Sequence, residues 1–261
     1  MDALVTTVSA VGGLVLGDGL EILVERLGER SALDRPWWRC PSCRAPQRGV
    51  GLVPVLRVLS RRRGCASCGE PTPRPWRPVV LSLLGAAVLG AFAAHFGADV
   101  VLAAYAVFGL SMLAISAVDL ERYIIPNRII YPTLALLVPL FVIASAVDDR
   151  WASLWRAGLA GAVAFLGFYV LHVAVPHGMG FGDVRLAGVI GIALGWLGLG
   201  HAFVGFFAGF VLGAVIGLVF IAVTGGGRKT RIPFGPFLAA GAVWAVVWGS
   251  PAAHALFHRG V

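Results

Sequence analysis

Apolar residues in this chain run in long stretches, and polar positions gather in short interruptions between them. A hydrocarbon core about 30 Å thick needs roughly 20 apolar residues per crossing helix. The sequence offers that length repeatedly, over 3–24, 79–97, 100–118, 129–147, 154–175, 184–199, 202–223 and 234–256, the sixth stretch being the shortest. The pattern predicts an all-α polytopic membrane protein with about eight transmembrane helices. Three zones follow: an N-terminal transmembrane helix (1–24), a soluble loop domain (25–78) and a seven-helix membrane domain (79–261). No basic segment with a small-residue cleavage site precedes a soluble body, so the first helix is expected to stay in the mature protein.

Composition supports this reading, because 58% hydrophobic with 13% charged residues lies far from ordinary soluble usage. The net charge of +8 matters less than where it sits. Of the 21 basic residues, twelve fall within 25–78, and Arg122, Arg128, Arg228, Lys229 and Arg231 fall in two further loops that eight helices place on the same side. Arg150, Arg156 and Arg259 fall opposite. Basic loops stay in the cytoplasm, so both termini are expected outside the cell membrane and the 25–78 loop inside. The basicity thus reports topology, and no nucleic-acid partner is expected, since the loop lacks aromatics interleaved for base stacking beyond Trp37, Trp38 and Trp76. Gly158, Gly161, Gly188, Gly191 and Gly195 are read as close-packing positions between helices.

The loop domain is too small to rest on an apolar core alone and needs a staple. It carries Cys40-Pro-Ser-Cys43 and, with 21 residues between, Cys65-Ala-Ser-Cys68. Two such tight turns supply four thiolates to one tetrahedral ion, the spacing of a zinc ribbon. Two disulfides are the alternative, but a reducing cytoplasm opposes them. A closed four-sulfur site has no open coordination position, so such a zinc ion would hold shape and not perform hydrolysis.

Carboxylates at membrane depth are costly and point to function. Asp119 closes the run SMLAISAVD at the cytoplasmic end of the third stretch, and Asp183 closes HGMGFGD where the sixth begins. The topology inferred from arginines brings both to one membrane depth and one face. Two nearby carboxyls cannot both ionise easily, so one acts as base on a water while the other donates to a scissile carbonyl. Gly178, Gly180 and Gly182 alternate before Asp183, and such a run is expected to stay extended, giving a substrate peptide an edge to pair with. The plainer reading is a loop whose aspartate caps the next helix. A transporter that couples ions through the two aspartates is the non-enzyme alternative. Asp18 and Glu21 also lie in the first stretch, where one of them is expected to pair with Arg26. The sequence around Pro233, Phe234, Gly235 and Pro236 is read as a helix entry, and His172 and His177 as interfacial.

Taken together these residues resemble the type IV prepilin peptidases, membrane aspartyl proteases of the GxGD class. The resemblance runs in order along nearly the whole chain: CPSC and CASC in the loop, VDLERYIIPN around Asp119, GMGFGDVRLAG around Asp183 and IPFGPFLAAGA at 232–242. It implies cleavage of the short basic leader of prepilins and pseudopilins at the cytoplasmic membrane surface, with Asp119 and Asp183 as the catalytic pair and the four cysteines as a zinc-binding loop. Many members also N-methylate the new terminus with S-adenosylmethionine. Here the chain departs from the pattern: GDGLEILVERLG stands where the family resembles GSFLNVVIYRLP, placing Glu21 at a usual Asn. PWRPVV stands where RYPLVE is usual, leaving no Glu at Val80. The resemblance therefore implies the peptidase and leaves methylation open.

Overall fold

Eight α-helices make up most of the described chain: α1 (Asp2–Leu27), α2 (Arg77–Phe96), α3 (Val101–Arg122), α4 (Asn127–Val147), α5 (Trp151–Ala174), α6 (Phe181–Leu197), α7 (Leu199–Thr224) and α8 (Gly235–Phe257). The computed structural model describes residues 2–27, 39–40, 43–46, 54–55, 65, 67–69, 74, 76–175, 179–224 and 233–257. Among them no strand forms beyond an isolated bridge between Arg39 and Pro46. In lipid every backbone N–H and C=O must be satisfied within the protein, and a helix does this inside one segment. Helices α1 to α5 and α7 are long and apolar enough to cross a bilayer. The exposure of large apolar side chains, Val223 at 81% and Leu218 at 68% among them, suits a surface that faces acyl chains. The protein is a multi-spanning membrane protein.

The helices follow the apolar stretches closely. The largest difference is at the end of α3, expected at 118 and found at Arg122. Asp119 therefore sits inside a helix, in its last turn, rather than just beyond one.

The chain divides into two compact units, Met1–Ala94 and His95–Val261. In the first, α1 and α2 meet backbone to backbone. A Cβ on Gly13 would lie 2.3 Å from the Gly85 carbonyl oxygen, and one on Gly17 would lie 2.4 Å from that of Leu81. Beside this contact Glu21, fully buried, takes a two-pronged ion pair from Arg77: Nε to Oε2 at 2.6 Å and Nη2 to Oε1 at 2.7 Å. Arg26, expected from sequence to pair with Asp18 or Glu21, has a side chain outside the described residues. Arg77 reaches Glu21 because the start of α2 packs beside α1, and a buried carboxylate requires a partner at that depth. Asp18 accepts the Val55 N–H at 2.7 Å, tying a piece of the 25–78 loop to α1.

In the second unit α5 and α6 pack through glycine as the sequence suggested. Added Cβ atoms on Gly161, Gly191 and Gly195 would lie 2.4 to 2.6 Å from Ile192, the Ala160 carbonyl and Ala160 Cβ. Gly158 differs, with open space where its side chain would be. It lines an apolar cavity of about 350 Å³ with Trp151, Trp155 and Ile192. At that end Phe141 stacks on Trp196 at 5.5 Å, Trp196 Nε1 donates to Ser145 Oγ, and the Tyr105 hydroxyl donates to the Ala193 carbonyl at 2.7 Å. These contacts fix α3, α4 and α6 together, so that the end of α3 and the starts of α4 and α6 meet at the other end of the bundle. There Gly182 of α6 lies against Ile125.

Candidate active site

Asp119 is 4% exposed in the last turn of α3. The helix stops because Tyr123 adopts a left-handed conformation, φ 55°, with its N–H on the Asp119 carbonyl at 2.9 Å. The chain then passes through Ile124 and Ile125 to an extended Pro126, which opens α4. Proline there fits its fixed φ and its missing N–H.

Asp183 lies in the first turn of α6 and is half-buried. Gly180 is extended, φ −73° and ψ 147°, and its N–H reaches Asp183 Oδ2 at 3.2 Å, while its carbonyl accepts the Asp183 N–H at 3.1 Å. The glycine run expected to remain extended therefore enters a helix at Phe181. A carboxylate that satisfies an N–H and sits at the positive end of the helix dipole offsets the conformational cost of glycine. Gly180 spends both backbone polar groups on Asp183, and Gly182 is helical, so neither offers the strand edge expected from sequence. A Cβ on Gly182 would lie 2.8 Å from Ile125 Cβ. The absence of a side chain there lets the segment after Asp119 pack against the start of α6. Gly178 and His177 lie outside the described residues.

The two carboxylates line one cavity of about 310 Å³. One wall is Tyr123, Ile124, Ile125 and Asn127; the other runs from Gly180 to Arg185. The larger cavity at Gly158 has no comparable polar groups and lies at the opposite end of the helices.

Three contributions to this site were not legible as such in sequence. The Gly235 N–H, at the start of α8, donates to Asp119 Oδ2 at 3.0 Å. A Cβ on Gly235 would lie 2.8 Å from that same oxygen. The Pro233–Pro236 stretch does form a helix entry, and the entry is aimed at Asp119. The signal available was a glycine at the first position of a helix, where a bare N–H and close approach coincide. His172 Nδ1 donates to the Met179 carbonyl at 2.8 Å, and its ring lies 5.6 Å from that of Phe181, so it holds the segment leading into α6. Arg185 reaches Asn127 across the cavity.

In the first unit the four cysteine sulfurs lie within 4.8 Å of one another. Cys40 and Cys68 sulfurs are 3.8 Å apart, and those of Cys43 and Cys65 are 3.6 Å apart. A Zn–S bond of about 2.3 Å gives a tetrahedron with edges of about 3.8 Å, whereas a disulfide needs about 2.05 Å. No disulfide joins these four cysteines, and their arrangement fits a single metal ion. The Arg44 N–H closes the first turn on the Cys40 carbonyl, and the Gly69 N–H closes the second on that of Cys65. Backbone N–H groups of Cys68 and Ser67 bring the Cys65 thiol down to a pKa of about 6, favouring the thiolate that a metal requires.

A model of the type IV leader peptidase family matches residues 106–218, and a model of the bacterial peptidase A24 N-terminal domain matches 11–96. The prepilin leader peptidase/N-methyltransferase of Bacillus subtilis (strain 168) is 30% identical, over 91% of this chain and 92% of its own. The chain belongs to the type IV leader peptidase family. A second relative of that description, from Burkholderia pseudomallei (strain K96243), is 33% identical over 93% of this chain and 74% of its own. A third, from Stutzerimonas stutzeri, is 30% identical over 88% and 78%. No solved structure matches significantly. As a member of this family the protein is a membrane protease. Asp119 and Asp183 fall within the leader peptidase match and the four cysteines within the N-terminal match, while Gly235 lies beyond both.

Proposed function

We propose that this protein removes the basic leader from type IV prepilins or pseudopilins at the cytoplasmic membrane surface, with Asp119 and Asp183 as its catalytic pair. The observation that carries this reading is that the two acids, from α3 and α6, line one small cavity. Each has one oxygen on a backbone N–H, Asp119 from Gly235 and Asp183 from Gly180, which leaves its second oxygen for water or substrate.

Two carboxyls in one cavity hold a single proton between them. The ionised one takes a proton from a water as that water attacks the scissile carbonyl carbon, and the protonated one donates to the carbonyl oxygen. The tetrahedral intermediate then collapses: the C–N bond breaks, the amine leaves with a proton from the dyad, and the new carboxyl stays on the leader. The backbone donors supply fixed partial charges beside the reacting groups. Gly180, Gly182 and His172 act at one remove by placing Asp183.

The basic loops orient the cavity toward the cytoplasm, with both termini outside. In the four-cysteine cluster the ion is zinc, ligated by Cys40, Cys43, Cys65 and Cys68 and holding the loop's shape. N-methylation with S-adenosylmethionine is left open as a second activity, methyl transfer being part of the name the relatives carry. Glu21, which stands at a usual Asn, is paired with Arg77 in this chain.

The test is cleavage of a membrane-embedded prepilin by the purified protein, with and without S-adenosylmethionine, and mass measurement of the products. A free leader and a trimmed chain support the peptidase, and about 14 mass units added to the new terminus would reveal methylation. An intact substrate would overturn the proposal.

A further inference from the structure

Among the described residues, the cavity that holds the two acids has one cation in its wall, Arg185. It follows Asp183 by two residues on α6, which is about 3 Å along the helix axis. Its Nη1 donates to Asn127 Oδ1 at the start of α4, and its guanidinium lies over the Phe181 ring, 4.5 Å from the centre. The amide and the ring fix the plane of a side chain that would otherwise move through many rotamers. Among the described residues no carboxylate pairs with Arg185, although two line the same cavity. A guanidinium carries five N–H donors, and Asn127 occupies one of them.

We propose that Arg185 is a substrate-binding residue that donates hydrogen bonds to main-chain carbonyl oxygens of the peptide beside the scissile bond. The inference rests on Asp119 and Asp183 being the catalytic pair. A dyad sharing one proton carries a net negative charge, and it would repel an acidic side chain brought beside it. A peptide carbonyl has no net charge, is present at every residue of any substrate, and accepts a charge-assisted hydrogen bond from guanidinium. The short axial offset from Asp183 places the bound carbonyls one or two residues from the cut. Asn127 then has a defined role. It holds the guanidinium across the cavity, on the wall opposite α6, so that a peptide passing Asp183 meets oriented donors.

The test is steady-state cleavage of a prepilin-type substrate by the full-length protein in detergent, comparing wild type with Arg185→Gln, Arg185→Lys and Asn127→Ala. Removing a hydrogen bond to a charged donor is expected to raise KM about tenfold for Arg185→Gln, with kcat changed by less than about twofold. Arg185→Lys keeps the charge but loses the planar fork, so it should recover only part of the loss. Asn127→Ala should move KM the same way by less. The pH–rate profile should stay in place for all three. An unchanged KM would overturn the proposal, and so would a shifted pH profile, which would mean that Arg185 tunes the acids instead of holding the peptide. If Arg185→Gln fails to fold, the other two variants carry the same comparison. Failure of the catalytic-pair assignment would be seen separately, as cleavage that survives loss of either acid.

Discussion

Gly235 donates its backbone N–H to Asp119 Oδ2 at 3.0 Å, across 116 residues of sequence. The contact brings a third helix, α8, to a cavity whose acids come from α3 and α6, and it places the N-terminal end of that helix at a carboxylate. Any side chain at 235 must contend with the same oxygen, since a Cβ would lie 2.8 Å from it. Gly235→Ala is therefore expected to displace the Asp119 carboxyl and lower kcat by about tenfold or more, the order of one hydrogen bond to a charged group, while KM changes little. Cleavage kinetics check this. A variant with wild-type kcat would show that the Gly235 contact is dispensable.

The α5–α6 contact sets the height of Asp183 and is sensitive to single methyl groups. Gly191→Ala would bring a Cβ to 2.6 Å from the Ala160 carbonyl, and overpacking of this kind costs about 1–3 kcal/mol. Thermal unfolding in detergent should fall for Gly191→Ala and remain unchanged for Gly158→Ala, whose Cβ would enter open space.

The Glu21–Arg77 pair is buried on both sides, with side-chain exposures of 0% and 7%. Truncating one partner leaves an uncompensated charge, a loss of about 3–5 kcal/mol, whereas replacing both with apolar residues of similar size is near neutral. Arg77→Leu alone should lower the unfolding temperature sharply, and Glu21→Leu combined with Arg77→Leu should restore most of it. Equal destabilisation by the single and double variants would contradict the pairing.

The cysteine cluster should hold one zinc ion per chain, lost on treatment with a strong chelator and in Cys65→Ser. Since the Cys65 thiol titrates near 6 instead of 9, its thiolate is present at neutral pH. The stabilisation tied to that thiolate is complete above about pH 9 and is lost as pH falls toward 6. In metal-free protein the rate of Cys65 alkylation should rise with a midpoint near pH 6, and a midpoint near 9 would show that the backbone N–H groups do not hold its sulfur.

Much of this could be read in the sequence because the physical signals were strong. Apolar stretches of bilayer length marked the helices, and arginine placement put Asp119 and Asp183 at one end before any contact was known. The two CxxC turns likewise foretold a cluster, since paired thiols at that spacing have few other uses. What escaped was carried by backbone or by distance. The Gly235 donor has no side-chain signature. Glu21 finds a partner 56 residues away, on another helix, where no local pattern marks it. The glycine run looks too flexible for a helix, although the plainer reading of Asp183 as the cap of the next helix matches its contact with the Gly180 N–H.

The measurement that bears most directly on the central claim is cleavage of a membrane-embedded prepilin by Asp119→Asn and Asp183→Asn, each compared with wild type. Asparagine keeps the shape of aspartate but cannot hold or pass the shared proton, so each variant is expected to lose about a hundredfold or more in rate while melting at the wild-type temperature. Either variant cutting at a rate within about threefold of wild type would contradict the two-aspartate account.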